Sequence, residues 1–569
     1  MSGLAAADYL ILAGFFVVLL GVGFFYAGRM QNLRDFFSGG RQVPWWLAGI
    51  SLYMTTFSAF TFVSYSALAY QNGIVAMMIW WFAIPGCLLS ARWLASRWRR
   101  AATTSPVEFI ETRYGSALRQ CFSWFGIPLI VLDDALKLFV IGTMTAVSTG
   151  FRTDAAVLWA IGICGTIMLL YTLLGGLWAV MITDFIQFVV MGVAVIVLLP
   201  LAWSRAGGGQ AIAAHLPPEF WRPTGGTYTW PWLLSFAVVL ALTFATKWPY
   251  VQRYYAARSD KEARWVGYLV ATLTLLSPPL LFFPALAARV FLPNVDDANQ
   301  VYALLCQQLL PVGMMGIMLA AMFSATMSML SSDYNSVASV LTNDIIKRLF
   351  LQHASDRALV FTARLSTFAI GGAAMALAML FAQAQSLEDL VTVMAQLFAA
   401  LLPPVALPTV VGLLSRRVSN SGALCGFGAG AFCGATAYIG SYWGPDYLRT
   451  VPYMTWITLA PSGAGLVLGS LLVPNSREKQ GMIDQFLEGL RGTTREKAGL
   501  GAGGDAAVAL RIIGLTSAML GATLAAGILA TSTLAEGHLS LLVGVLLFFG
   551  GLAAALGARA IKQPEGGPE

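Results

Sequence analysis

The chain has 569 residues, 58% of them hydrophobic and only 11% charged, with a formal net charge of +7. Soluble domains carry about 25% charged residues, so this composition describes an integral membrane protein. The basic excess does not mark a nucleic-acid surface, because the charges are confined mainly to the connections between apolar stretches.

Apolar runs of about 20 residues, each able to cross a hydrocarbon core of about 30 Å, recur along the whole chain. They predict about fifteen transmembrane helices: 8–28, 44–70, 74–98, 120–150, 154–174, 177–203, 232–254, 264–291, 312–340, 358–384, 389–413, 421–441, 453–473, 509–533 and 538–560. The first run has no basic segment before it and is read as a retained helix, not a cleaved signal. Basic residues gather in alternate connections: Arg29, Arg34 and Arg41, then Arg92 to Arg119, Arg253 to Arg264, Lys347 to Arg357, Arg416 and Arg417, Arg477 to Arg511, and Arg559 and Lys562. The positive-inside rule then predicts an extracytoplasmic N-terminus and a cytoplasmic C-terminus. The tail after Lys562 reads as disordered. Six scattered cysteines show no ligand spacing, and His215, His353 and His538 are placed in loops, so neither a disulfide framework nor a zinc site is expected.

Two spans read as interrupted. The second carries Thr55, Thr56, Ser58, Thr61 and Ser64 at its middle; the seventh carries Lys247 and then Pro249, where a break is predicted. They lie five spans apart. Each therefore opens a five-helix unit, and an odd number of crossings inverts the second unit relative to the first. The resulting division is 1–43 (extra helix and loop), 44–203 and 204–413 (the two repeats), 414–473 (two further helices), 474–508 (cytoplasmic linker) and 509–569 (two peripheral helices and tail).

The ninth span has the densest polar content, with Ser324, Thr326, Ser328, Ser331, Ser332 and Asp333 inside a membrane-length helix. An isolated serine there usually bonds back to its own helix. Ser328, Ser331 and Ser332 share a face at spacings of three and four, which points to a hard-cation site. Asp184 adds a carboxylate at bilayer depth: it is either a packing acid paired with a neighbour or, by default for an unpaired acid, the partner of a bound cation. In the fourth span Asp134 and Lys137 are spaced to form an ion pair within one helix.

Five stretches, in order, resemble the sodium:solute symporter family: DFFSGGRQVPWWLAGISL, TSPVEFIETRYG, YTLLGGLWAVMITDFIQ, QRYYAARSDKEA and LSSDYNSVASVLTNDIIKR. The resemblance covers roughly Asp8 to Val473 and implies an all-α 5+5 inverted-repeat fold, alternating access and sodium as coupling ion, with no other cofactor. One sodium site would take the carbonyls of Met54, Phe57 and Ala325 and the Ser328 hydroxyl. Met329 stands where the family usually has a further hydroxyl, and a thioether is a poor ligand for a hard cation. A second site, found in some members, would use Asp184, Ser328, Ser331 and Ser332.

On the solute side, the carboxylate and amide that family sugar carriers place near Trp80, Asp134 and Lys247 are not retained. Thr56, Ser58 and Thr61 match hydroxyls of sialic acid carriers, while Phe60, Trp80 and Trp248 are candidate stacking or gating rings. Lys247 is either a structural partner of Asp133 or Asp134 or an anchor for a carboxylate. The expected function is sodium-coupled import of a small polar solute by a multi-pass protein of a bacterial inner membrane, with carboxylate-bearing solutes favoured over sugars or proline-like amino acids. A membrane sensor is disfavoured because no signalling module follows Lys562, and an enzyme because no nucleophile or acid–base cluster is evident. Solute, sodium and lipid are the expected partners, and oligomeric state is not legible.

Overall fold

The computed structural model describes residues 5–27, 36–37, 39–101, 103, 105–148, 153–384, 390–491, 502–531 and 534–560. Arg29, Arg34, most of the Gly-rich part of the linker and the tail after Lys562 lie outside the described residues.

The first span is α1, Ala6–Ala27. The second is broken as expected, into α2 (Trp45–Met54) and α3 (Ala59–Asn72), bent by 61°. Its hydroxyl run causes the break. Thr55 and Thr56 donate back to the carbonyls of Ser51 (2.7 Å) and Tyr53 (2.6 Å), ending one helix, and Ser58 with Thr61 forms a capping box that starts the next. Next come α4 (Val75–Ala101), the short α5 (Glu108–Tyr114), α6 (Ser116–Ser148), α7 (Ala155–Leu173) and α8 (Gly176–Arg205). The sharp turn from α7 into α8 needs glycine: Gly176 has φ +55°, and a Cβ there would lie 2.9 Å from the Phe36 carbonyl oxygen.

The seventh span breaks into α9 (Trp230–Thr246) and α10 (Trp248–Ala256), bent by 46°. The break falls at Lys247, two residues before the predicted Pro249. A proline clashes with the preceding turn of a continuing helix but is tolerated in the first turn of a new one. The chain therefore stops early and uses Pro249 to start α10. Then follow α11 (Asp260–Phe291), α12 (Met314–Leu349) and α13 (Asp356–Ala384). A third break, not anticipated, bends α14 (Leu390–Leu401) by 52° from α15 (Pro403–Leu414). The remaining helices are α16 (Asn420–Gly440), α17 (Val451–Leu472), the amphipathic α18 (Arg477–Arg491), α19 (Ala502–Thr531) and α20 (Leu534–Ala560).

Eleven of the described helices are long and apolar enough to cross a membrane, or fourteen counting each bent pair as one span. The helix α6 is 33 residues long but carries Asp133, Asp134 and Lys137, and it is outside that count. The most enclosed element is α12, which packs against α1, α6, α8, α10 and α13 and passes beside the break between α2 and α3. Its polar residues therefore face protein, which is where intramembrane polar groups belong. The pair α19 and α20 is tied to the rest at the side of α1, where Gly14 faces Thr523, and Ser540 Oγ donates to the Val312 carbonyl at 2.7 Å.

Candidate ion and solute site

The gap between α2 and α3 is joined directly to α12: the Ala59 amide donates to Thr326 Oγ at 2.7 Å. Around that junction lie the expected sodium ligands Met54, Phe57, Ala325 and Ser328, all fully buried. The Met54 carbonyl accepts from Phe57 N at 3.0 Å. Ser328 stands beside the Asp184 carboxylate, although its hydroxyl meets hydrogen-bond geometry with no described residue. Ser331 donates to the Ser328 carbonyl at 3.1 Å. Met329 turns towards the solute cavity.

The structure corrects the reading of Asp184 as an unpaired acid. Its carboxylate accepts a hydrogen bond from Ser51 Oγ and lies 3.4 Å from the Arg253 guanidinium. Arg253, expected in a cytoplasmic connection, is fully buried on α10. It also donates to Ser332 Oγ at 2.5 Å, to Ser51 Oγ at 3.1 Å and to the Pro249 carbonyl at 3.1 Å. Ser332 is further linked to Thr55 Oγ at 3.2 Å. A guanidinium thus occupies one side of the carboxylate and serine group, while Asp184 Oδ1, on the other side, makes no hydrogen bond among the described residues.

Behind Met329 a second charged group closes between α6, α9, α10 and α12. Lys137 Nζ lies 2.5 Å from Asp133 and 3.5 Å from both Asp134 and Asp333. Lys247 Nζ lies 3.3 Å from Asp133 and 3.7 Å from Asp333. The five residues are all buried. The predicted pairing of Lys137 with Asp134 exists, but Asp133 is the closer partner of both lysines. Asp333 was seen in the sequence as a polar residue of the ninth span, yet its part in this cluster was missed. It follows Ser332 by one position, and a step of 100° around the helix turns it from the Asp184 side to the α6 side.

A cavity of about 160 Å³ opens beside this cluster and is lined by Thr56, Ser58, Phe60, Thr61, Trp80 and Lys247, among others. Asp133 and Lys137 also reach it; Asp134 does not, and sits behind them. Trp248 does not line it either; it lies against Gly126 in a smaller adjoining cavity that shares Asp133 and Lys247 with the first. Of the eight expected solute residues, the structure therefore gathers six around one cavity.

Across the basic side of the protein, Arg119 pairs with Asp344 and Glu111, and Glu111 pairs in turn with Arg348. Burial disfavours the charged Glu111 carboxylate, but the hydrogen bonds from Arg348 and Arg119 outweigh it and hold the group below the usual carboxylate range. This network binds α5 to the start of α6 and the end of α12.

Two broken helices meeting an enclosed polar helix, with a cavity at the crossing, define a secondary transporter. The chain belongs to the sodium:solute symporter family, whose model matches residues 36–430. It is 25% identical over 382 residues to the sodium/sialic acid symporter NanT of Aliivibrio fischeri, covering 62% of this chain and 72% of that protein. To the sodium/mannose cotransporter SLC5A10 of Bos taurus it is 26% identical over 546 residues, covering 84% and 88%. The fold matches a substrate-bound, outward-open structure of a sodium-coupled sialic acid symporter with a TM-score of 0.71 at 22% identity, covering 83% of this chain and 98% of the other. These relatives are sodium-coupled transporters, not enzymes.

Proposed function

We propose that the protein is a sodium-driven importer of a small organic solute bearing a carboxylate, working in a bacterial inner membrane with its N-terminus outside. The observation that carries this reading is the placing of two lysine ammonium groups, Lys137 and Lys247, on the wall of a cavity formed at the helix breaks. Asp133 faces the cavity with them, while Asp134 and Asp333 hold the lysines from behind. An anion at this wall meets two ammonium groups already fixed in place, which lowers the ordering cost of binding, and competes for them with Asp133 and Asp333.

Sodium would be held at the α2–α3 break by the carbonyls of Met54, Phe57 and Ala325 and by Ser328, with Asp184, Ser331 and Ser332 as the second group. Thr56, Ser58, Phe60, Thr61, Trp80 and Lys247 would meet the solute, with Asp134 fixing Lys137 and Trp248 supporting the cavity floor. Because the sodium group and the cavity share the α2–α3 break and α12, an ion that settles this junction also settles the cavity wall. Linkage then requires that solute raise sodium affinity by the same factor that sodium raises solute affinity. A sugar reading is the alternative that the named relatives raise, but Trp80 and Lys247 stand on the cavity wall where that reading expects a carboxylate and an amide.

The test is counterflow and gradient-driven uptake in proteoliposomes with labelled sugars, sugar acids, monocarboxylates and amino acids. Uptake that follows an inward sodium gradient for a carboxylate is the expected result. Uptake of the same magnitude with sodium replaced by choline on both sides would refute sodium coupling.

A further inference from the structure

The charged end of the cavity is only one part of its surface. The remaining lining includes the rings of Tyr65, Trp80, Phe236, Phe244, Tyr250 and Phe398. These rings pack on one another: Tyr65 meets Trp80 edge-on with centroids 5.3 Å apart, and Phe244 lies 5.2 Å from Tyr250. Lys247 Nζ stands at the junction of the two regions, 5.6 Å from the Tyr250 ring and 5.6 Å from the Phe398 ring.

Two of the wall hydroxyls give their protons to backbone carbonyls. Thr56 donates to Tyr53 O at 2.6 Å and Thr243 to Val239 O at 2.8 Å. Ser58 and Thr61 accept backbone amides in their capping box and keep their hydroxyl protons. Lys137 and Lys247 are ion-paired with the aspartates, and the buried polar atoms on the walls that lack a described hydrogen-bond partner are Asp133 Oδ1 and Trp80 Nε1. A solute with hydroxyls all round its body would bring several polar groups out of water to face rings, and each unpaired group opposes binding. A solute with a flat apolar body loses nothing there and gains burial against aromatic faces.

Resting on the carboxylate reading above, we propose that the solute is a carboxylate carried on a flat apolar body, an aryl-substituted carboxylic or amino acid, and not a polyol such as a hexose or sialic acid. The two ammonium groups take the carboxylate and the ring cage takes the body. The Asp133 oxygen without a partner is the one place where an α-ammonium group would add a contact.

The full-length protein in detergent, with sodium present, would be tested for thermal stabilisation and by calorimetry with 3-phenylpropanoate, phenylalanine, glucose and N-acetylneuraminate. Binding of either arylcarboxylate, with glucose and N-acetylneuraminate absent or much weaker, is expected. Phenylalanine ahead of 3-phenylpropanoate places an ammonium at Asp133; the reverse order leaves Asp133 as a counter-ion to the lysines alone. Phe236→Ser, away from the charge cluster, should weaken the arylcarboxylate about tenfold, the loss expected for removing a ring from contact. Tighter binding of glucose or N-acetylneuraminate, or binding of neither arylcarboxylate, overturns the proposal. If an arylcarboxylate binds and is transported without regard to sodium, the coupling reading fails while this inference stands.

Discussion

Arg253 and Asp184 face each other across the centre of the helix bundle, guanidinium nitrogen to carboxylate oxygen at 3.4 Å, with both side chains inaccessible to solvent. The arginine comes from the second broken helix and the aspartate from α8, so the pair ties the second half of the fold to the first. Ser51 and Ser332 are held by the same two charges.

Removing one partner of a buried ion pair leaves an uncompensated charge and typically costs about 3–5 kcal/mol. Asp184→Asn should therefore lower thermal stability sharply, and adding Arg253→Gln should recover much of the loss. The double variant also isolates the ion question. If Asp184 contributes to sodium binding, the double variant will show reduced sodium cooperativity of uptake despite its recovered fold; a Hill coefficient equal to that of the native protein removes Asp184 from the sodium site.

Met329 turns its thioether to the cavity at the position where a hydroxyl is usual in the family. Met329→Ser and Met329→Thr should increase apparent sodium affinity by adding an oxygen near the α2–α3 break. Sodium titrations of uptake or of intrinsic tryptophan fluorescence would read the change. An unaltered midpoint would show that the side chain at 329 points away from the ion throughout the cycle.

The cluster of three aspartates and two lysines is unequal in its members. Asp133 is within 3.3 Å of both ammonium groups, whereas neither Asp134 oxygen makes a hydrogen bond among the described residues. Asp133→Asn should thus be strongly destabilising, and Asp134→Asn neutral or mildly stabilising, because it relieves the surplus of carboxylates over ammonium groups. Thermal unfolding of the two variants compares them directly, and equal losses would refute this ranking. Lys247→Ala should destabilise as well. Adding Asp133→Ala should restore folding without restoring carboxylate binding if Lys247 also anchors the solute.

Glu111 offers a pH test outside the membrane spans. Its carboxyl is held below its ordinary value of 4.5, so the stabilisation it provides is present above that pH and is lost as pH falls through the lowered value. The Glu111-dependent part of stability should be flat from neutral pH down to about 5. The difference between the native protein and Glu111→Gln should shrink only in more acid solution. A difference that already falls between pH 7 and 6 would mean that another group governs the network.

Much of the fold was legible in the sequence because hydropathy and the constraint on backbone hydrogen bonds act locally. The spans and the break at Thr55 to Ser58 follow from runs of apolar residues and of hydroxyls. The third break was signalled by Pro403 and Pro404, which were passed over inside a continuous apolar run. Arg253 could not be placed by composition: it belongs to a polar-aromatic stretch, and only the proximity of Asp184 and Ser332, distant in sequence, shows why it is inside. The same holds for Asp333, whose neighbours Ser331 and Ser332 drew attention to a different face of α12. The sequence leaves Lys247 open between Asp133 and Asp134 as partners; the structure gives it Asp133 and also Asp333, a contact that depends on how α9 and α12 cross.

The hydrogen bond from the Ala59 amide to Thr326 has a practical consequence. That amide opens the first turn of α3 and takes its acceptor from α12. Its exchange with deuterium therefore requires the two helices to part. The rate at this single position becomes a clock for the separation itself. Slowing of that clock by sodium, and its acceleration in Thr326→Ala, would time the alternating-access step at one identified amide without a labelled solute.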